Sequence, residues 1–460
     1  MKLIYVFSAL LFWLNCTHLW SQVNPFGNPL IPDMNADASI QEINGIFYCY
    51  ATTDGYDKGL ETSGPPVVWT SRDFVHWSFN GTYFPSAFSQ VYWAPSKVVP
   101  ANGKFYIYPT VNGHIYVAES YRPEGPFRLS VGKDEFVKPY TPSRLLKDSI
   151  SSGIDAEVFV DDDGQAYIFW NRRHVAKLTS DMTALGSDIK VIESPHDVYS
   201  EGPIFFKRKG IYYYLYTLGG DERYQYAYLM SRVSPMGPYE VPQNDIIATT
   251  DYDKGIFGPG HGSVFKQTGS DQYYFVYLEF GRRSTNRQTY VNRLEFNKDG
   301  TIRPINLDMN GVGALKTVRQ DRRIPITNVE ASSSAAPLTI LPMKDQQLHR
   351  KEYFAPQFAT DGQNGSRWMA APDDSDKWIV VDLGKSTKIG HSEIYFVRPT
   401  EPHLYTLEGS NDKQSWATCG GCFDGRLKAP LTDRINNTYR YLRIRIHKGV
   451  PGVWEWYIYE

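Results

Sequence analysis

The chain has 460 residues, too many for one ordinary domain and enough for two, one of them large. Its 48 basic and 50 acidic residues leave a formal charge of -2, which excludes the global field that nucleic acid or an anionic membrane would select. Aromatic residues make up 15 %, including 33 Tyr and 11 Trp, a composition that suits β-rich structure and the stacking of sugar rings.

At the N-terminus, MKLIYVFSALLFWLNCTHLWSQ places a lysine before an apolar run that ends in small and polar residues. This is the layout of a secretory signal over residues 1–22, too short and poorly flanked for a mature membrane span. Trp13-Leu14-Asn15 lacks the small residues that precede a lipid-modified cysteine at Cys16, so a secreted or periplasmic chain is expected rather than a surface lipoprotein. Cys49, Cys419 and Cys422 then remain, and no disulfide framework builds the fold. Cys49 lies in an apolar strand and reads as a small buried hydrophobe. Cys419-Gly-Gly-Cys422 has no second ligand pair nearby, which argues against zinc.

The first strand pair falls in DASIQEINGIFYCYATTD, where Asp37 precedes a short alternating strand, a turn and a tyrosine-rich strand. The same order recurs in APSKVVPANGKFYIYPT from Ala94, DAEVFVDDDGQAYIFWN from Asp155, EGPIFFKRKGIYYYLYT from Glu201 and HGSVFKQTGSDQYYFVYLE from His261. Asn44-Gly45, Asn102-Gly103 and Asp163-Gly164 are hairpin signals, because such turns need positive φ. The starts fall at 37, 95, 155, 201 and 261, so the spacings are 58, 60, 46 and 60, each with room for two more strands. Those strands lie at 67–77, 114–127, 174–185, 228–239 and 290–302. Four antiparallel strands repeated five times predict an all-β chain that begins with a five-bladed β-propeller.

A propeller brings the start of each inner strand to one mouth of its channel. Asp37, Pro95, Asp155, Glu201 and His261 are therefore expected around one pocket. Glycoside hydrolysis needs two carboxyl groups, one protonated and one ionised, and a third acid raises the pKa of the first by repulsion. The alternative use of clustered acids is a cation site, but Asp161-Asp162-Asp163-Gly164 lacks the spacing of an EF-hand loop and reads as a solvated turn.

Residues 24 to about 315 resemble glycoside hydrolase family 43. The matching pieces are Ala36-Asp37-Ala38-Ser39, Trp93-Ala94-Pro95-Ser96, Ile154-Asp155, Ser200-Glu201-Gly202-Pro203 and Gly260-His261-Gly262-Ser263. The resemblance implies an inverting exo-glycosidase with Asp37 as general base, Asp155 as the group tuning the acid, and Glu201 as general acid. Trp93 would wall the sugar pocket. His261 would stand at the channel axis against a metal or water, and Arg282 or Arg283 would contact substrate. Asp37-Ala38 departs from the family's Asp-Pro, which loosens a turn and leaves the carboxylate. The implied substrates are α-L-arabinofuranosides or β-xylosides. Galactan or galactofuranosides are the alternative within the fold, and a non-catalytic glycan-binding protein the alternative outside it.

Past Gly311-Val-Gly-Ala-Leu315 the pattern changes, and VEASSSAAPL at 329–338 suits a linker or loose first strand. FATDGQNGSRWMA, WIVVDLGKSTKIGHSEIYF, YTLEGSNDKQSW and YRYLRIRIHKGVPGVWEWYIY resemble, in that order, the discoidin-like β-sandwich also seen as carbohydrate-binding module family 32. The expected domains are a propeller over 23–325 and this sandwich over 326–460. The resemblance implies that Trp368 and Trp378 are core and that Asp361, Asn364 and Ser366 form a calcium loop. The chemistry itself asks for no cofactor, and calcium, structural or in the channel, is the ion the resemblance allows. A monomer acting on oligo- or polysaccharide is expected. All three acids lie in the propeller, so removal of residues from about 330 onward should leave kcat on a small aryl glycoside within several-fold, if the fragment stays soluble.

Overall fold

A computed structural model of the chain describes residues 27–54, 63–84, 91–130, 149–220, 223–279, 287–318, 321–340 and 350–460. The expected signal segment and Arg282 and Arg283 lie outside the described residues.

The aromatic strands are buried along nearly their whole length because each lies inside a sheet packed between two others. Ile46–Thr53 and Ile211–Leu218 are the clearest cases. The turns between inner strands follow the expected chemistry at two of three places. Asn44 and Gly45 have φ of 50° and 81°, and Asn102 and Gly103 have 51° and 72°. At Asp163-Gly164 only the glycine is left-handed, and the turn closes instead through the Gly164 amide donating to Asp161 O at 2.9 Å.

The first blade runs Asn35–Ile43, Ile46–Thr53, Val67–Ser71, Trp77–Thr82 in spatial order. The third is Glu157–Val160, Ala166–Trp170, His174–Lys177, Lys190–Val191, and the fourth Ile204–Arg208, Ile211–Leu218, Gln225–Ser231, Ile246–Thr249. The second blade is cut across into two four-stranded sheets. Pro95 divides its inner strand into Tyr92–Trp93 and Val99–Ala101, and Pro109 divides the next into Lys104–Ile107 and Thr110–Val111. Neither proline has an amide to give to the ladder.

Among the described residues the fifth blade has three strands, Gly260–Lys266, Tyr273–Glu279 and Gln288–Leu294. Its outer edge is covered by the N-terminal segment. The Leu30 amide donates to Thr289 O at 2.8 Å, and the Asn28 side chain meets both the amide and the carbonyl of Val291, at 2.9 and 3.0 Å. Inside, Ser263 Oγ accepts from the Ile40 amide and donates to Ala38 O, both at 2.9 Å, so the last blade is tied to the first.

The C-terminal part is a seven-stranded β-structure built on two long strands, Trp378–Phe396 and Leu431–Lys448, each broken by register shifts that let it bend around the core. Trp368 is fully buried there, as expected, whereas Trp378 is half-buried where its long strand begins. Cys49, Cys419 and Cys422 are free thiols, and Cys422 Sγ donates to Asp424 Oδ1 at 3.2 Å.

The two parts share an apolar core, which bears on whether a propeller fragment would stay soluble. Tyr395, Val397, Ala429 and Trp454 of the sandwich belong to one apolar cluster with Leu30, Ile31, Trp77 and Phe79 of the propeller. Phe79 and Ala429 exchange backbone hydrogen bonds at 2.7 and 3.3 Å, and Tyr395 donates its hydroxyl to Trp77 O at 2.9 Å. Burying one large apolar side chain stabilises by about 1.5–3 kcal/mol. A fragment ending near residue 325 is therefore expected to aggregate, or to melt at least about 10 °C below the full chain. A soluble, monodisperse fragment with an unchanged midpoint in a thermal melt would contradict the shared core.

Candidate active site

Ordinary strand alternation does not bring the ring of inner-strand residues together. Asp37 and Asp155 both hold left-handed backbone, with φ of 51° and 64°, which costs a side-chain-bearing residue about 1–2 kcal/mol. Pairing in the first blade slips between Ala36 and Ser39, around Asp37, and in the fifth between Gly260 and Gly262, around His261. These bulges free the side chains from the pleat. Asp37, Asp155 and His261 are each about 5 % exposed, and His261 Nδ1 lies 3.8 Å from Asp37 Oδ1 and 3.6 Å from Asp155 Oδ2. Gly202 is required beside them. Its φ is +53°, and a Cβ there would meet the His261 ring at 3.0 Å.

Backbone amides next to the acids are held by threonines that close the aromatic strands. The Asp155 amide donates to Thr110 Oγ1 at 3.0 Å and the Glu201 amide to Thr217 Oγ1 at 3.0 Å. In the same way the Ala94 amide donates to Thr52 Oγ1 at 2.8 Å. Each carboxyl then has its own partner. Asp155 Oδ2 accepts from the Gly202 amide at 3.0 Å, and Glu201 Oε1 accepts from the Tyr224 hydroxyl.

Burial dominates the electrostatics. It pushes Glu201 up to about 7, helped by repulsion from Asp155 and opposed by the bond from Tyr224. Asp155 is also raised to about 7, by burial first and by Asp37 second. The two carboxyls are coupled, so the pair holds a proton near neutrality that isolated acids would have lost. Burial lowers the pKa of His261 and keeps the imidazole neutral. Asp37 meets a fixed cation instead, because Arg287 Nη1 and Nη2 donate to its two oxygens at 3.3 and 3.4 Å. The same guanidinium is also gripped by Asp54.

The structure thus gathers Asp37, Asp155, Glu201 and His261, and adds Arg287, Asp54 and Tyr224, which the repeat pattern missed. Arg287 immediately precedes the third strand of the last blade, four residues beyond Arg283, and it is the arginine that reaches the acids among the described residues. The threonines ending the quoted aromatic strands were a readable signal for the amide contacts. Trp93 is half-buried and pairs with Thr110, the residue that holds the Asp155 amide. Among the described residues no three His, Cys, Asp or Glu side chains cluster as metal ligands. In the sandwich, Asp361 and Ser366 do meet, at 2.7 Å, but the Asn364 amide leaves that loop and donates to Pro29 O and Leu30 O at 3.1 and 3.2 Å.

Comparison with known proteins adds a family to this geometry. Residues 26–302 match the family described as glycosyl hydrolases family 43, and residues 329–458 match the F5/8 type C domain. A β-D-galactofuranosidase of Aspergillus niger is 31 % identical over 62 % of this chain and 86 % of its own length. An arabinoxylan arabinofuranohydrolase of Bacillus subtilis is 27 % identical over 67 % of this chain and 68 % of its own. A solved glycoside hydrolase superposes with a TM-score of 0.90 at 66 % identity, covering 95 % of this chain and 100 % of that one. A thermostable family-43 glycoside hydrolase superposes at 0.53 with 25 % identity, over 63 % of this chain and 99 % of its own.

Proposed function

We propose, for a chain that belongs to glycosyl hydrolases family 43 and is an inverting glycoside hydrolase, that it releases terminal furanose units from plant polysaccharide side chains. Glu201 is the general acid that protonates the departing oxygen. Asp37 is the general base that takes a proton from water as it attacks the opposite face of the anomeric carbon. Asp155 keeps the proton on Glu201 by repulsion and by its place in the coupled pair. The observation that carries these roles is the asymmetry of the carboxyls. Glu201 and Asp155 are pushed up together by burial, while Asp37 is held by Arg287.

The relatives named above favour furanosides over the pyranose xylosides. An α-L-arabinofuranoside and a β-D-galactofuranoside share their ring configuration and differ by one exocyclic carbon, which fits a common site in related enzymes. A pocket discriminates a difference of that size by only about 10–200-fold. Nitrophenyl α-L-arabinofuranoside, β-D-galactofuranoside and β-D-xylopyranoside, assayed side by side, test this. The arabinofuranoside is expected to give the highest kcat/KM and the xylopyranoside a value at least about tenfold lower. A preference for the xylopyranoside would overturn the furanoside reading, and a folded protein inert on all three would favour glycan binding without catalysis.

The N-terminal layout supports action outside the cytoplasm after loss of residues 1–22, which N-terminal sequencing of the mature protein would read directly. In the sandwich, burial raises both Asp361 and Glu455, the charge of Asp361 raises Glu455 further, and Glu455 Oε1 has no hydrogen bond. A calcium ion held by these two carboxylates would relieve that repulsion. An unchanged melting midpoint on chelation with EGTA would remove it.

A further inference from the structure

Asp54 follows the second strand of the first blade and is 1 % exposed, yet neither proton transfer uses it. A carboxylate so far from water persists only where its charge is matched. Its match is Arg287, 233 residues away in sequence. Asp54 Oδ1 accepts from Arg287 Nη2 at 2.9 Å and Nε at 3.1 Å, and Oδ2 accepts from the Arg287 backbone amide at 3.0 Å. The grip covers one edge of the guanidinium and the main chain of the same residue. The adjacent edge, formed by Nη1 and the shared Nη2, carries the longer contacts to Asp37, at 3.3 and 3.4 Å.

The guanidinium is planar and has five N–H groups in a fixed fork. Once Asp54 has fixed the plane through Nε, Nη2 and the backbone, the direction of the remaining N–H groups is set. Charge points the same way. One arginine between two carboxylates is shared, so neither anion holds it fully. Without the Asp54 charge, Arg287 would be free to close on Asp37 and compete for the lone pairs that must accept the proton from water.

We propose that Asp54 is a positioning residue for hydrolysis, acting through Arg287 to aim the Asp37 carboxylate and to keep the arginine from closing on it. This rests on the reading of Asp37 as the base. Displacing a reacting group by about 1 Å costs on the order of 10²-fold in rate.

Asp54→Asn, which keeps size and shape, is expected to lower kcat on a nitrophenyl furanoside by about 10²-fold and to change KM by less than about threefold. Arg287→Lys keeps the charge and loses the fork. The double variant is expected to be no more than about threefold slower than Arg287→Lys alone, since both act through one contact. A drop in KM-normalised rate that multiplies across the two changes, or an Asp54→Asn enzyme within threefold of wild type, would overturn the proposal. Asp54→Ser, with circular dichroism on all variants, covers a failure of the asparagine variant to fold. Asp37→Asn separates the two readings. If it stays active, the base assignment fails; if it is dead while Asp54→Asn is fast, only the positioning role fails.

Discussion

Glu201→Gln is expected to slow hydrolysis of a natural glycan by about 10³-fold, and to slow a dinitrophenyl glycoside by no more than about tenfold. A sugar alkoxide is a poor leaving group and must be protonated as it departs. A dinitrophenolate leaves without that help, so the loss of the acid matters little there. The variant should also separate activity from stability. In the unfolded chain the Glu201 carboxyl gives up its proton near its ordinary 4.5, whereas the fold holds it to about 7. Between those values the folded state binds a proton that the unfolded state has lost, so stability falls as pH rises through this window. Glutamine has no such proton to lose. Its thermal midpoint should therefore exceed that of wild type by a few degrees at pH 8 and match it near pH 4. Equal rate losses on both substrates, or a midpoint difference that ignores pH, would remove Glu201 as the acid.

The contrast between Glu201 and Arg287 shows which parts of the site can be read in one dimension. Glu201, Asp37, Asp155 and His261 each stand at or just before the start of an inner strand, so the phase of a fivefold repeat places them in one ring without knowledge of any distance. Arg287 stands just before a third strand, and three arginines fall within six residues there, at 282, 283 and 287. Local sequence does not separate them. Among the described residues, what places Arg287 at the acids is Asp54, a partner from the other end of the ring closure. The left-handed backbone at Asp37 and Asp155 was equally hidden, since aspartate tolerates that region without announcing it. At the larger scale, the seam between the two parts is not legible in the sequence for a different reason. Trp77, Phe79 and Trp454 look like core residues of their own domains, and an apolar face turned to a neighbour has the same composition as one turned inward. The prolines that split the second blade were visible, but their effect depends on which amides the neighbouring strand needs.

Asp37→Asn should behave differently from the acid variant on every substrate. Water must lose a proton as it attacks, whatever group is leaving, so an aryl glycoside with an acidic phenol offers no escape. The expected loss is about 10³-fold on natural and dinitrophenyl substrates alike. The fold should survive the change. Arg287 keeps Asp54 as its anion, through three side-chain contacts no longer than 3.4 Å, and the asparagine side chain retains an oxygen to accept from Nη1. A thermal midpoint within a few degrees of wild type is therefore expected beside the lost rate. Proton NMR of the first product from the wild-type enzyme completes the argument, because a base working through water inverts the anomeric centre whereas a nucleophile in the same place would return it unchanged. An Asp37→Asn enzyme that kept a tenth of the wild-type rate on the aryl substrate would move the base elsewhere in the ring, and Asp155, next to Asp37 and His261, would be the first carboxylate to test in its place.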